Sequence, residues 1–126
     1  MKDFRQLRVW EKAHQLALAI YKISSRFPKE ELYGLTSQIR RASMSVPTNI
    51  AEGCGRGTDA EFAHFLQIAM GSACETEYEW LLCLELGFVL PDEYKNMQEV
   101  LEEVKRMLAT LLKTVRQDRR MLIAES

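Results

Sequence analysis

Apolar residues recur at steps of three and four along nearly the whole chain, and this spacing restricts the fold more than any other feature. Such a period puts side chains on one face of an α-helix, where a strand would show alternation. Four segments carry it. Val9, Ala13, Leu16, Ile20, Ile23 and Phe27 predict a helix from Phe4 to Phe27, ended by Pro28 because the residue before proline disfavours the α region. Ile39, Ala42, Val46, Asn49 and Gly53 predict a second over 35–56. Phe62, Leu66, Ala69, Ala73, Thr76, Trp80 and Cys83 predict a third, opened by Thr58 and Glu61 at capping-box spacing. Tyr94, Met97, Leu101, Val104, Leu108, Leu111, Val115 and Leu122 predict a fourth, opened by Pro91, Asp92 and Glu93, residue types that suit a helix start. Short connections between them imply an all-α, antiparallel up-down-up-down four-helix bundle. The 126 residues suit a single domain over 1–126.

The second helix departs most from the rules. Pro47 cannot donate to the Ser43 carbonyl, so a kink is expected there. Asn49 falls on the apolar seam and is expected to satisfy backbone groups freed by the proline. Glu52 is expected to bond Thr48, Arg56 or a partner helix. Gly53, Gly55 and Gly57 read as a C-cap and flexible connector. Arg40 and Arg41 cannot both face the core; one is expected to pair with Glu75 or Glu79 across the bundle or with a neighbouring subunit, with phosphate contact as the second reading. Trp10, Tyr21, Phe65, Leu81, Leu82 and Val100 exceed what one seam per helix needs, which favours a subunit interface. Met44, Met70, Met97 and Met107 read as core filler.

Charge is the main functional signal. The formal net charge is −1, which excludes a uniformly basic binder but not a local patch. In an up-down bundle one pole collects Lys2, Arg5, Arg8, Lys12, Arg56, Lys113, Arg116, Arg119 and Arg120, against Asp3, Glu11, Glu52, Asp59, Glu61, Asp118 and Glu125. The opposite pole collects Glu75, Glu77, Glu79, Glu85, Asp92, Glu93, Glu99, Glu102 and Glu103. Arg5, Arg8, Lys12, Arg56, Lys113, Arg116, Arg119 and Arg120 are the candidate nucleic-acid-binding residues, since phosphate contact needs only such a patch.

No nucleophile–base set, P-loop or dinucleotide motif is present, so no catalytic residue and no cofactor is expected. Glu11-x-x-His14 and Glu61-x-x-His64 have the spacing used by di-iron bundles. Glu11 lies about 200° from Val9 and His64 about 200° from Phe62 on the helical wheel, so these side chains face away from the seams and no metal is expected. Cys54, Cys74 and Cys83 show no C-x-x-C spacing and read as reduced thiols of a cytoplasmic protein. Charges punctuate every apolar run, so neither a membrane span nor a signal peptide is expected.

The motifs Phe4-Arg5-x-Leu7-x-Val9-Trp10-x-Lys12-Ala13, Tyr33-Gly34-Leu35-x-Ser37-Gln38-Ile39-Arg40-Arg41-Ala42, Ser45-Val46-Pro47-x-Asn49-Ile50-Ala51-Glu52-Gly53 and Glu75-x-Glu77-Tyr78 occur in this order. On them the chain resembles the bacterial four-helix-bundle proteins encoded in 23S rRNA intervening sequences. The resemblance covers about residues 4–88. It implies a ring-like homopentamer, no established enzymatic activity, and kinship with accessory proteins of diversity-generating retroelements, which associate with a reverse transcriptase and bind nucleic acid. Arg40, Arg41, Pro47, Asn49, Glu52, Gly53 and Glu75 are then structural or interface residues. The expected function is a non-enzymatic homo-oligomer that contacts RNA or DNA through its basic pole. The alternative is a purely protein–protein scaffold.

Overall fold

The computed structural model describes residues 2–125, with side chains through Gln117. Four helices form a bundle: α1 (Arg8–Ser24), α2 (Leu35–Cys54), α3 (Asp59–Glu85) and α4 (Pro91–Glu125). Each helix packs on the next, and α4 closes the ring against α1.

The first helix is shorter than the periodicity implies. Phe4–Gln6 is a separate 3₁₀ turn, capped by the Asp3 carboxylate, and α1 ends at Ser24. Phe27 lies outside the helix yet is buried in the core. The Ser24 hydroxyl and the Ser25 hydroxyl both fold back on the last turn, donating to the Tyr21 and Lys22 carbonyls. Such local bonds compete with helix continuation.

The seam of α3 follows the pattern residue for residue: Phe62, Leu66, Ala69, Ala73, Thr76, Trp80 and Cys83 are all buried. Thr58 caps it, accepting from the Glu61 N–H at 3.2 Å. The Thr58 hydroxyl in turn donates to the Glu61 carboxylate, a side-chain variant of the reciprocal capping box. At the other end Gly87, at φ 78°, makes a Schellman turn: its N–H reaches the Leu84 carbonyl and that of Phe88 reaches Cys83. In α4 the seam drifts, because 3.6 residues per turn outrun a strict heptad. Leu112, not Leu111, is the buried residue after Leu108.

In α2 the helix runs as one element through buried Pro47. Asn49 does not serve the carbonyl that the proline leaves free. Its amide donates to the Ser45 carbonyl at 2.8 Å and the Ser45 hydroxyl at 2.9 Å. Ser45 in turn meets Ser72 of α3 at 2.8 Å. Gly53 is not a cap but a buried interior position; the cap is Gly55. A Cβ at Gly53 would lie 2.9 Å from Phe65 Cβ and 3.0 Å from Phe62 Cδ1. Glycine is there because α3 passes too close for any other residue.

The core divides along the bundle axis. One cluster holds Val9, Val46, Ile50, Phe62, Leu66, Leu108 and Val115. The other holds Leu16, Ile20, Ile39, Trp80, Met97 and Leu101. Trp80 is fully buried, and its Nε1–H donates to the Tyr94 carbonyl at 3.0 Å. Met97 fills the core, but Met44 is 47% exposed. Among the described residues no helix is long and apolar enough to cross a membrane.

Candidate nucleic-acid interface

The pole predicted to be basic lies at the end of the bundle built on the first core cluster. The Lys2 N–H donates to the Cys54 carbonyl at 3.1 Å, which ties the N-terminal segment to the end of α2. The Lys2 ammonium lies over the Phe62 ring at the start of α3. Arg116 of α4 reaches Gln67 of α3 at 2.9 Å. Arg119 and Arg120 lie beyond the residues whose side chains are described.

Several candidates carry local partners. Arg5 lies 3.8 Å from Asp3. Arg56 pairs with Glu52 at 3.1 Å and approaches Glu61 at 4.0 Å, so Glu52 takes the Arg56 partner foreseen for it. Lys12 reaches Glu103 of α4 at 3.3 Å, although Glu103 was assigned to the acidic pole. The charge separation is therefore less complete than helix direction alone implies. These pairs are exposed and worth at most about 1 kcal/mol each.

Two grooves flank α4 at this end. The first, about 500 Å³, lies between α1 and α4 and is lined by Leu7, Arg8, Val9, Arg106, Met107, Thr110, Leu111 and Thr114. The second, about 330 Å³, lies between α3 and α4, where Lys113, Arg116, Gln117 and Gln67 surround Met70, Ala109 and Leu112. Neither lining includes a carboxylate among the described residues. Arg106 was missed in the sequence, where it sits beside the acidic stretch of α4. Its signal is register: Arg106 and Lys113 are seven residues apart and share one stripe of the helix.

Arg40 and Arg41 have different surroundings from those expected. Arg40 bonds neither Glu75 nor Glu79. Its Nε donates to Ser24 Oγ at 2.8 Å and its Nη2 to the Tyr21 carbonyl at 3.3 Å, with the guanidinium stacked 4.9 Å from the Tyr21 ring. It caps the end of α1, where a cation suits the helix dipole. Arg41 is exposed and shares a polar groove with Gln38, Ser45, Thr48 and Glu75.

The acidic end is held by cross-links between helices. Lys105 donates to Glu77 at 2.9 Å and Gln98 to the other Glu77 oxygen at 2.8 Å. The Lys105 hydrogen bond lowers the Glu77 pKa, and the same bond raises that of Lys105. Arg26 pairs with Glu93, which also accepts the Leu90 N–H that opens α4. Glu79 is not on a solvated acidic surface. It is 8% exposed, its Oε1 has no partner among the described residues, and burial with nearby Glu75 pushes its pKa up to about 7.

The two histidines of the Glu-x-x-His motifs sit against aromatic rings. His14 stacks on Trp10 at 4.8 Å, and His64 meets Phe65 edge-on. Among the described residues no group of three or more His, Cys, Asp or Glu is placed to hold a metal ion.

Helix order and packing together define an all-α, antiparallel four-helix bundle. The chain belongs to the family described as 23S rRNA-intervening sequence protein, whose model matches residues 5–110. It is similar to a crystal structure from Bacteroides thetaiotaomicron, described as a protein of unknown function from the S23 ribosomal protein family. The two share 25% identity at a TM-score of 0.78, over 83% of this chain and 95% of that one. No curated protein matches it.

Proposed function

We propose that the chain is a non-catalytic, self-associating bundle that binds RNA or DNA through the basic surface along α4 and the start of α1. One observation carries this reading. Arg8 and Arg106 converge on one groove, and Lys113 and Arg116 on the next, without a carboxylate among the described lining residues. Phosphate backbones are attracted to such surfaces chiefly through release of counterions, with no need for base-specific contacts. Repeating the surface in a ring would concentrate its field. The resemblance supplies the subunit number, five. It also supplies the finer form of the proposal, an accessory to a nucleic-acid enzyme such as a reverse transcriptase, and the free thiols support a cytoplasmic setting within this reading.

Fluorescence anisotropy with a structured RNA, single-stranded DNA and duplex DNA tests it. Binding should weaken linearly in log salt. Changing Arg106, Lys113 and Arg116 together to Glu should weaken it at least tenfold and make the salt slope shallower by roughly two to three. Unchanged affinity would remove the α4 surface from the account. A protein-only scaffold is the second reading, and the exposed Leu18, Tyr21 and Met44 favour it.

A further inference from the structure

A groove other than the two basic ones opens on the first two helices. It runs between α1 and α2, about 580 Å³, and is lined by Phe4, Trp10, His14, Tyr21, Met44 and Pro47 among others. Its walls are ring after ring. Phe4 meets Trp10 edge-on at 4.8 Å, and Trp10 and His14 stack at 4.8 Å with their planes 9° apart. Trp10, His14, Leu18 and Tyr21 step by four, four and three along α1, so one helix face presents them over about 16 Å. Pro47 and Ala51 give the opposite wall little side-chain reach.

Arginines stand around this groove. Arg5 lies 4.6 Å from the Phe4 ring at one end, and Arg40 lies 4.9 Å from the Tyr21 ring at the other. Arg41 borders it, because its polar groove shares Met44 and Thr48 with the aromatic one. No carboxylate is among the described lining residues, though Asp3 lies 3.8 Å from Arg5 and Glu75 lines the groove that holds Arg41. The 3₁₀ turn joins the two surfaces: Phe4 lines the aromatic groove, while Leu7 and Arg8, just beyond the turn, line the basic one.

We propose that the α1–α2 groove takes unpaired bases of a single-stranded nucleic acid, stacked on the outer faces of the Trp10–His14 pair, with phosphates met by Arg5 and Arg41. Flat rings bind any base face, and flanking cations follow the backbone. Bases within a duplex are stacked on each other and cannot enter such a slot, so the groove selects single strands. This inference rests on the reading of the chain as a nucleic-acid binder and deepens it.

The test uses the full chain, a twelve-nucleotide oligothymidine and a duplex of equal length at low salt. Tryptophan emission is the first readout. Trp80 is fully buried and bonded, so quenching by the oligonucleotide reports Trp10. The single strand should quench; the duplex should not. Trp10→Ala should cost the single strand roughly 5- to 100-fold in affinity and leave duplex affinity unchanged, and Trp10→Phe should restore most of the loss. Equal affinities with no quenching would overturn the base-stacking inference and leave the basic-surface reading standing. Absence of binding by either nucleic acid would remove both. If Trp10→Ala lowers the native mass and leaves single-strand affinity unchanged, the groove is a contact between copies of this chain, and the inference fails.

Discussion

Glu79 is a carboxylate the fold would rather keep protonated. Removing it from water penalises the charged form, and Glu75 adds like-charge repulsion. Its pKa is raised above the usual 4.5, so the folded state holds the proton more tightly than the unfolded chain. Stability from this group is therefore full below about pH 4.5, falls as pH rises toward about 7, and is lost above it. Glu79→Gln keeps the shape and removes the charge. It should raise stability at pH 8 by roughly 3 kcal/mol and have little effect at pH 4, which urea denaturation at the two pH values measures. A glutamate on a helix otherwise rich in surface acids reads as solvated in sequence, and that is how Glu79 was placed. Its burial depends on how the helices pack, which no local pattern records. Arg40 has the structural role expected for at least one of the two arginines, but its partner, the last turn of α1, is a feature of the folded chain rather than of spacing.

At the scale of the element, Gly53 sets how closely α2 and α3 approach. A new methyl would press on Phe65 Cβ, an atom fixed to the backbone, so the helices themselves would have to part. Gly53→Ala should destabilise by about 1–2 kcal/mol despite the better helix propensity of alanine. Gly71 of α3 is the control, since a Cβ there meets nothing within 4 Å and its change to Ala should stabilise by up to about 1 kcal/mol. Thermal melts of the two variants should shift in opposite directions. The four helices and the α3 seam were legible because apolar period and caps agree locally. The end of α1 and the Leu111-to-Leu112 change in α4 were less so. Serine back-bonding decides the first, and accumulated drift of the helical period decides the second.

Over the whole molecule, charge and core are organised along the same axis. Which helix ends meet was legible from helix direction, because antiparallel order fixes it. The distribution of charge at those ends was not. Lys12 and Arg56 are occupied by carboxylates from neighbouring turns or helices, while Arg106 joins Arg8 across a groove. The aromatic groove was visible only as an excess of apolar residues, and its arginine surround needed the fold. The two core clusters share Val100 as a packing neighbour, and each is otherwise built on its own residues. Backbone amides near Leu16, Ile39, Trp80 and Leu101 should therefore exchange with deuterium as one cooperative group, and those near Ile50, Leu66 and Leu108 as another, with separate free energies of opening. A single shared opening energy would show one indivisible core. Two energies would make the bundle a pair of foldons on common struts, in which the acidic half can melt, change partners or be cut by a protease while the half that carries Arg8, Arg106 and Arg116 keeps its shape.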